Sequence, residues 1–468
     1  MTIIKKRINS LPNKIKKIDE RSLPKILAED YQKRMNDLID LGADKYTHYF
    51  IYGDREHYAN IEYFTGIDPR FEESVLIISK GGKPTLIVGD EGCDYSKRIP
   101  YDIAIEVYHG FSLPQQPRRT KTVLQDILKK AGLNQESKVA VIGWKWFDPQ
   151  DFTTEKEQFD IPYFIFNELL NVCSEDNLSN GTYLLQDNEI GLRTNLCAKE
   201  LILAEAAGTK SANATLNVLQ NLREGITELE ASKYLMIDGD PINVHPNINF
   251  NKNYYYALAS PMGDNELKKG DIVGAGMAYR RSLCHKVGFF VESEDQLEPE
   301  RREKAMAMFY KYFESMKVWY ESIKIGVTGG DVFDTVTQVM GDPVEFGISL
   351  NLGHVIHTDE WTNTPFYEGS QEKLHSGMLI QCDFTSSFPD SDIAVHAEDG
   401  IMIADEKMQH EIKKLSPESY ERMIARRNFM KNELGINLAA EVLPTSDMAG
   451  VVFPFLADLN VVIANVKD

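Results

Sequence analysis

Histidines and carboxylates gather in one stretch of this chain, residues 351–399, NLGHVIHTDEWTNTPFYEGSQEKLHSGMLIQCDFTSSFPDSDIAVHAED. Four of the ten histidines fall there: His354, His357, His375 and His396. His354 follows Gly353. Gly377-Met378 opens a short apolar run that ends on Asp383, and Glu398-Asp399 precedes a second apolar run, GIMIA. Imidazole and carboxylate are ligands that hard and borderline divalent metals accept, and the same groups transfer protons with no metal at all. A carboxylate ending an apolar strand must be paired or face a solvated cleft, which marks Asp383 as a site residue. His354 and Glu398 are its candidate companions. His357 is a candidate for substrate contact, against a plainer reading, shared with His375 and His396, as a structural or solvated side chain.

Groups so far apart in the chain serve one site only if a sheet brings them together. His285 and Val287 have the same parity on an expected strand and so point the same way. His285 is therefore a second candidate for substrate contact, the alternative being an exposed histidine beside Lys286. Upstream, strand-like runs alternate with turns: 47–52, 74–79, 83–88, 103–108 and 138–143, with Gly81-Gly82 as a hairpin signal. Helices are expected at about 29–41 and 119–131. Residues 1–28 read as an arm or short helix, and 29–175 as a mixed α/β domain. The polar stretch SEDNLSNGTYLLQDNE at 174–189 marks a boundary, and a second domain spans 185–468. In it a helix is expected over 198–222, and Thr227 followed by Glu230 forms a capping box. A related turn recurs at IKIGVTGGDVFDTV. The tail carries a helix in HEIKKLSPESYERMIARRNFMKNEL and then an apolar, Pro- and Gly-punctuated extension expected to close one end of a cleft or build a dimer contact.

Composition excludes several functions. The chain has 468 residues, room for two or three domains, and a formal charge of −20, which argues against nucleic acid and against anionic membranes. Its five cysteines are widely spaced with no CxxC, as in reduced thiols. No apolar run reaches transmembrane length, and the basic N-terminus lacks the apolar core of a signal peptide. A cytoplasmic protein is the expectation.

The order of these motifs resembles the family of creatinase, prolidase, aminopeptidase P and methionine aminopeptidase. Gly353-His354, then Gly377-Met378 with its acid-ending strand, then Glu398-Asp399 match the C-terminal half of the peptidase members. Lys269-Gly270-Asp271-Ile272-Val273 matches their lead-in to the first metal-binding Asp. Tyr63-Phe64-Thr65-Gly66 is similar to a signature of the extra N-terminal domain of creatinase, prolidase and aminopeptidase P. The resemblance implies an α/β N-terminal creatinase-like domain followed by an α+β pita-bread domain of two similar halves, and a homodimer. It places His354, Asp383 and Glu398 on the His and two acidic ligand positions, with Asp383 where the family has Glu. It places Gly276 on the first Asp and Val287 on the bridging Asp. Ala259 or Ser260 and Trp361 stand where two functional histidines are expected. The bridging carboxylate is what holds two cations together. The expected function is therefore C–N bond hydrolysis of a small amide, peptide or guanidino substrate without a dinuclear centre. No cofactor is expected, apart from room for a single weakly bound divalent metal. The alternative is a non-catalytic cleft that binds a peptide or protein partner.

Overall fold

The computed structural model describes residues 2–12, 18–118, 120–154 and 156–466. It divides into two compact units, Lys25–Arg193 and Met1–Pro24 with Thr194–Asp468.

The first unit is built on a six-stranded sheet, in the order Ala104–Val107, Thr85–Val88, Ser74–Ser79, His48–Gly53, Val139–Ile142, Leu178–Asn180. Its central strands are near-continuous apolar runs because both faces are covered. The hairpin turns at Gly81, whose φ of +73° suits glycine. Helix Ala28–Leu41 lies where expected. The helix expected at 119–131 runs Leu124–Lys130, and residue 119 lies outside the described residues. Tyr63-Phe64-Thr65-Gly66 is the last turn of helix Ala59–Thr65, stopped by Gly66 in the left-handed region at φ +69°. The stretch read as a boundary supplies the edge strand Leu178–Asn180 and a short helix, Tyr183–Gln186, so this unit continues to Arg193 rather than ending near 175.

The second unit begins with the chain's start. The expected arm is a strand, Thr2–Arg7, paired antiparallel with Val461–Val466 near the C-terminus; residues 13–17 lie outside the described ones. Two long helices, Ala198–Gln220 and Pro299–Ser322, each lead into a capped turn. Thr227 accepts from the Glu230 amide, and Thr328 accepts from the Asp331 amide. The turns repeat in detail. Gly225 N–H donates to the Leu267 carbonyl and Gly326 N–H to that of Leu374, while Thr227 bridges Glu266 and Thr328 bridges Lys373. This is the expected internal pseudo-symmetry, written in backbone hydrogen bonds.

Both halves feed one sheet in the order His354–Val355, Leu379–Cys382, Ile393–Ile403, Cys284–Phe289, Ile272–Tyr279, Ile242–Phe250. Ile393–Ile403 is its spine: all eleven residues are buried. At roughly 1.5–3 kcal/mol for each large apolar side chain buried, its Ile, Val and Met residues hold it firmly in register. The expected single tail helix is two, Glu406–Leu415 and Pro417–Phe429. Pro417 cannot donate to a continuing helix and opens the second one instead. Arg426 ties that helix to the Ala198–Gln220 helix through Glu205 at 2.7 Å and to the extension through Asp447 at 2.7 Å. The extension itself packs inside the unit, with Val442–Pro444 pairing on the spine.

Candidate active site

The spine strand changes partners along its length, and the site forms at that change. Its first half pairs with Cys284–Phe289, placing His285 opposite Glu398 and Val287 opposite His396. Its second half pairs with Leu379–Cys382. His285 also faces Gly276 on the next strand. Residues two apart on a strand share a face, so Glu398 and His396 project together, with Asp383 just past the end of its strand. His354 enters from the neighbouring edge, opposite Gln381. Gly353 makes that approach feasible: its φ is +107°, and a Cβ there would lie 2.5 Å from the Gln381 carbonyl oxygen.

The side chains form one connected cluster. Asp383 Oδ1 is 2.8 Å from His396 Nε2, and His396 Nδ1 is 2.6 Å from His285 Nδ1. His354 Nε2 lies 3.1 Å from Glu360 Oε1, 3.7 Å from Asp383 Oδ2 and 3.7 Å from Glu398 Oε1. Trp361 stacks on the His354 ring, with centroids 4.4 Å apart and planes at 17°. Gln381 Nε2 donates to Glu398 Oε1 at 3.3 Å. His285 fills the space in front of Gly276, where a Cβ would stand 2.5 Å from His285 Cδ2. The cluster opens on a cavity of about 430 Å³, whose wall includes Tyr254, His285, Glu360, Asp383, His396 and Glu398.

Hydrogen-bond logic assigns the protons. A carboxylate only accepts, so His396 carries its proton on Nε2 toward Asp383. Where His396 accepts at Nδ1, His285 donates from Nδ1 and keeps the lone pair of its Nε2. That Nε2 is buried and has no hydrogen-bond partner. Burial, and after it the neighbouring His396 ring, lowers the His285 pKa well below the usual imidazole range. Burial also opposes charge on His354, but Glu360, then Glu398 and Asp383, outweigh it and raise its pKa well above that range. For Glu398, burial and then Asp383 raise the pKa well above the carboxylate range. Burial pushes Asp383 up, but His396, His354 and His285 together bring it below its ordinary value. The arrangement holds a neutral imidazole and a protonated carboxyl side by side, a base and an acid in one cavity.

Two three-donor sets suit a cation by distance: His354, Glu360 and Glu398, and Asp383, His396 and Glu398, each with donor atoms within 4.8 Å of one another. They share Glu398, and in the second set Asp383 and His396 already bond each other.

His354, Asp383, Glu398 and His285 thus converge. His285 is 5% exposed rather than a surface histidine, and Lys286 beside it pairs with Asp399 in the core. His357 is a correction: its ring is buried 3.6 Å from Glu200 and next to Thr358, and it does not line the cavity. His375 lies 3.0 Å from the Ser376 carbonyl and is likewise outside the cavity wall. His396, read as structural or solvated, belongs to the cluster. Its place two residues before Glu398 on one strand was the signal for it. Glu360 carried no signal, because only the loop turning Trp361 onto His354 brings it in.

Residues 203–405 match the model of metallopeptidase family M24. No curated protein sequence matches the chain. Among solved structures, the chain is similar to a prolidase from Thermococcus sibiricus at 16% identity, with a TM-score of 0.62, over 81% of this chain and 95% of that one. It is similar to an Xaa-Pro dipeptidase from Bacillus anthracis at 14% identity, with a TM-score of 0.60, over 80% and 96%. An X-Pro aminopeptidase from Thermotoga maritima matches at 14% identity and a TM-score of 0.60, over 80% and 95%. Residues 203–405 are therefore an M24 metallopeptidase-family domain, in a chain with the fold of prolidases and X-Pro aminopeptidases: an α/β domain followed by a pita-bread domain.

Proposed function

We propose that this chain hydrolyses a C–N bond in a small amide, peptide or guanidino compound, using side chains in place of a two-metal centre. The observation that carries this reading is the Asp383–His396–His285 chain, which ends on an unpartnered, buried imidazole nitrogen in a cavity. His285 Nε2 takes a proton from water as the water oxygen attacks the carbon. Asp383 and His396 hold the ring in the required tautomer and stabilise the imidazolium that forms. Glu398, held protonated, donates to the departing nitrogen. The products are a carboxylic acid, or the urea counterpart from a guanidine, and an amine.

The donor set argues against the family's two-metal centre. The strands Ile272–Tyr279 and Cys284–Phe289 present Gly274, Gly276 and Val287 on the site face, none with a ligand atom, and the Nδ1 of His285 is engaged by His396. In the family's pattern those strands supply a terminal and a bridging carboxylate to two cations, and here they supply neither. The set His354, Glu360 and Glu398 has the donors for one ion, and no step is assigned to it.

The test is hydrolysis of a panel of amides, Xaa-Pro peptides and guanidino compounds with and without a chelator, alongside elemental analysis of protein purified without one. Turnover that survives the chelator and is lost in His285→Ala supports the reading. Two equivalents of metal per chain, or turnover of Xaa-Pro peptides strictly dependent on manganese or cobalt, overturns it. A cleft that binds and does not turn over is the second reading, favoured by the apolar mouth, where Leu258 and Leu350 are 71% and 61% exposed. Ligand binding without hydrolysis across the panel supports that one.

A further inference from the structure

One tyrosine of the cavity wall is buried with its hydroxyl unengaged. Tyr254 is 8% exposed and lines the cavity. Its neighbour Tyr255 donates its hydroxyl to Asp392 at 3.1 Å, whereas the Tyr254 hydroxyl makes no hydrogen bond among the described residues. A buried phenol usually finds an acceptor, so this one is left for whatever enters the cavity. Burial, and then the charge of Asp383, raise its pKa above the ordinary phenol value, so it keeps the proton it would donate.

The turn that carries Tyr254 is firmly held. It runs Asn251–Tyr256, opens on Asn251 at φ +43° and closes on Ala257 at φ +55°, backbone conformations that L side chains rarely adopt. Glu228, fully buried, accepts from the Phe250 amide at 2.6 Å and from Asn253 Nδ2, the Met262 amide and Asn265 Nδ2 at 2.7 Å each. A buried carboxylate is costly unless satisfied, and this one fixes the chain before, within and after the turn. Tyr255 packs edge-on against the Tyr254 ring, with centroids 5.3 Å apart. The ring also lies over Gly274. A Cβ there would stand 2.8 Å from Tyr254 Cδ2, 3.0 Å from Tyr254 Cε2 and 3.1 Å from His285 Nε2. The ring edge and the nitrogen assigned as base thus meet over one glycine, and the hydroxyl is two bonds from Cε2.

The hydrolytic reading has a base and an acid and leaves one need unmet. Attack of water on a carbonyl carbon moves the C=O electron pair onto oxygen, and a preorganised donor stabilises that oxyanion. We propose that Tyr254 is the catalytic donor to this oxyanion, and that the bond cleaved is the carbonyl C–N bond of an amide or peptide rather than that of a guanidine. The inference rests on the hydrolytic reading. As His285 Nε2 takes the water proton, the carbonyl oxygen gains the electron pair and accepts a hydrogen bond from the Tyr254 O–H, which keeps its proton. The pair returns to form C=O as the C–N bond breaks and the departing nitrogen takes the Glu398 proton. A guanidinium carries nitrogen in place of that oxygen and offers only N–H donors to a hydroxyl placed to donate.

Steady-state kinetics on the full chain test it, with leucyl-proline, acetyl-leucyl-proline amide and methylguanidine among the probes. Tyr254→Phe removes the hydroxyl and keeps the ring over Gly274. It is expected to lower kcat on the cleaved peptide by about 10²–10³-fold with KM little changed, and to leave the melting temperature unmoved. Tyr255→Phe, whose hydroxyl serves Asp392, is expected to leave kcat unchanged. A peptide with a thiocarbonyl at the scissile bond gives a measure that needs no variant, and decides the matter if Tyr254→Phe misfolds. Sulfur accepts a hydrogen bond weakly, so the unmodified chain is expected to cleave it more slowly than the oxygen counterpart. Unchanged kcat in Tyr254→Phe, an equal loss in Tyr255→Phe or equal cleavage of the thiocarbonyl peptide overturns the proposal and leaves the hydrolytic reading standing. Turnover of guanidino compounds alone does the same. No turnover across the panel of amides, peptides and guanidino compounds overturns both.

Discussion

At the scale of single residues, the site works through proton positions that the backbone imposes. Asp383 can only accept, which puts a proton on His396 Nε2; with His396 accepting at Nδ1, the His285 proton sits on Nδ1. Removing the last member removes the base. His285→Ala is expected to lower kcat by roughly 10²–10⁴-fold with little change in KM. Added imidazole should restore part of the rate, because the cavity left behind has the shape of the missing ring. A loss that imidazole cannot restore, with an altered fold by circular dichroism, would point to packing instead. Glu398 gives a second expectation, in stability. Its pKa is raised above the ordinary 4.5 by burial and then by Asp383. A raised folded-state pKa contributes stability that is fully present below the unfolded value and is lost as pH rises through the folded one. Glu398→Gln keeps the neutral shape without the titration. Denaturation of both proteins between about pH 4 and pH 9 should show the unmodified chain losing stability relative to Glu398→Gln as pH rises. Parallel curves would mean that Glu398 is ionised in the folded protein.

At the scale of elements, close strand approach and the histidine pair are one device. Gly276 has no side chain because His285 occupies its Cβ space from the facing strand, at 2.5 Å from where that carbon would stand. Gly276→Ala is therefore an overpacking change, expected to cost about 1–3 kcal/mol in urea unfolding. The same change in a His285→Ala background should cost less than half as much, since the clashing ring is gone, and the double-mutant cycle reads the coupling directly. Additive costs would place the strain elsewhere. The repeated turns offer an independent check. Thr227→Ala and Thr328→Ala each remove one side-chain acceptor from a helix start and should each cost about 1 kcal/mol, in near-equal amounts.

At the scale of the whole molecule, the expected homodimer has lost one of its two motives. The apolar extension read as a dimer contact packs within its own unit. Val442–Pro444 lies on the spine strand, and Val461–Val466 pairs with Thr2–Arg7. What supports self-association is the family resemblance alone. We predict a dimer of about twice the 53.2 kDa chain mass in multi-angle light scattering at micromolar concentration, and a monomer mass at that concentration rejects it. Among the described residues no helix is long and apolar enough to cross a membrane.

Much of the architecture was legible because it rests on local signals. Apolar runs such as SVLIIS are strands because both faces are buried. Thr227 and Glu230 announce a helix start because capping needs those atoms at that spacing. Gly353-His354, Asp383 and Glu398 stand out because a histidine and carboxylates next to apolar strands are costly to bury unless they meet. Pro417 was visible too, but the periodicity around it hid the break it causes. The remainder was decided by tertiary structure. Whether His396 joins the site depends on which half of Ile393–Ile403 pairs with Cys284–Phe289, and pairing between segments more than 100 residues apart leaves no local trace. His357 is adjacent to the site in sequence yet turns toward Glu200, and Glu360 arrives through a loop whose course the sequence does not encode in any short pattern. The chain by itself determined the two domains, their order and which carboxylates and histidine would meet. Only the folded sheet, through its register and its choice of neighbouring strands, decided that His285 stands in the space before Gly276 and ends a proton chain there.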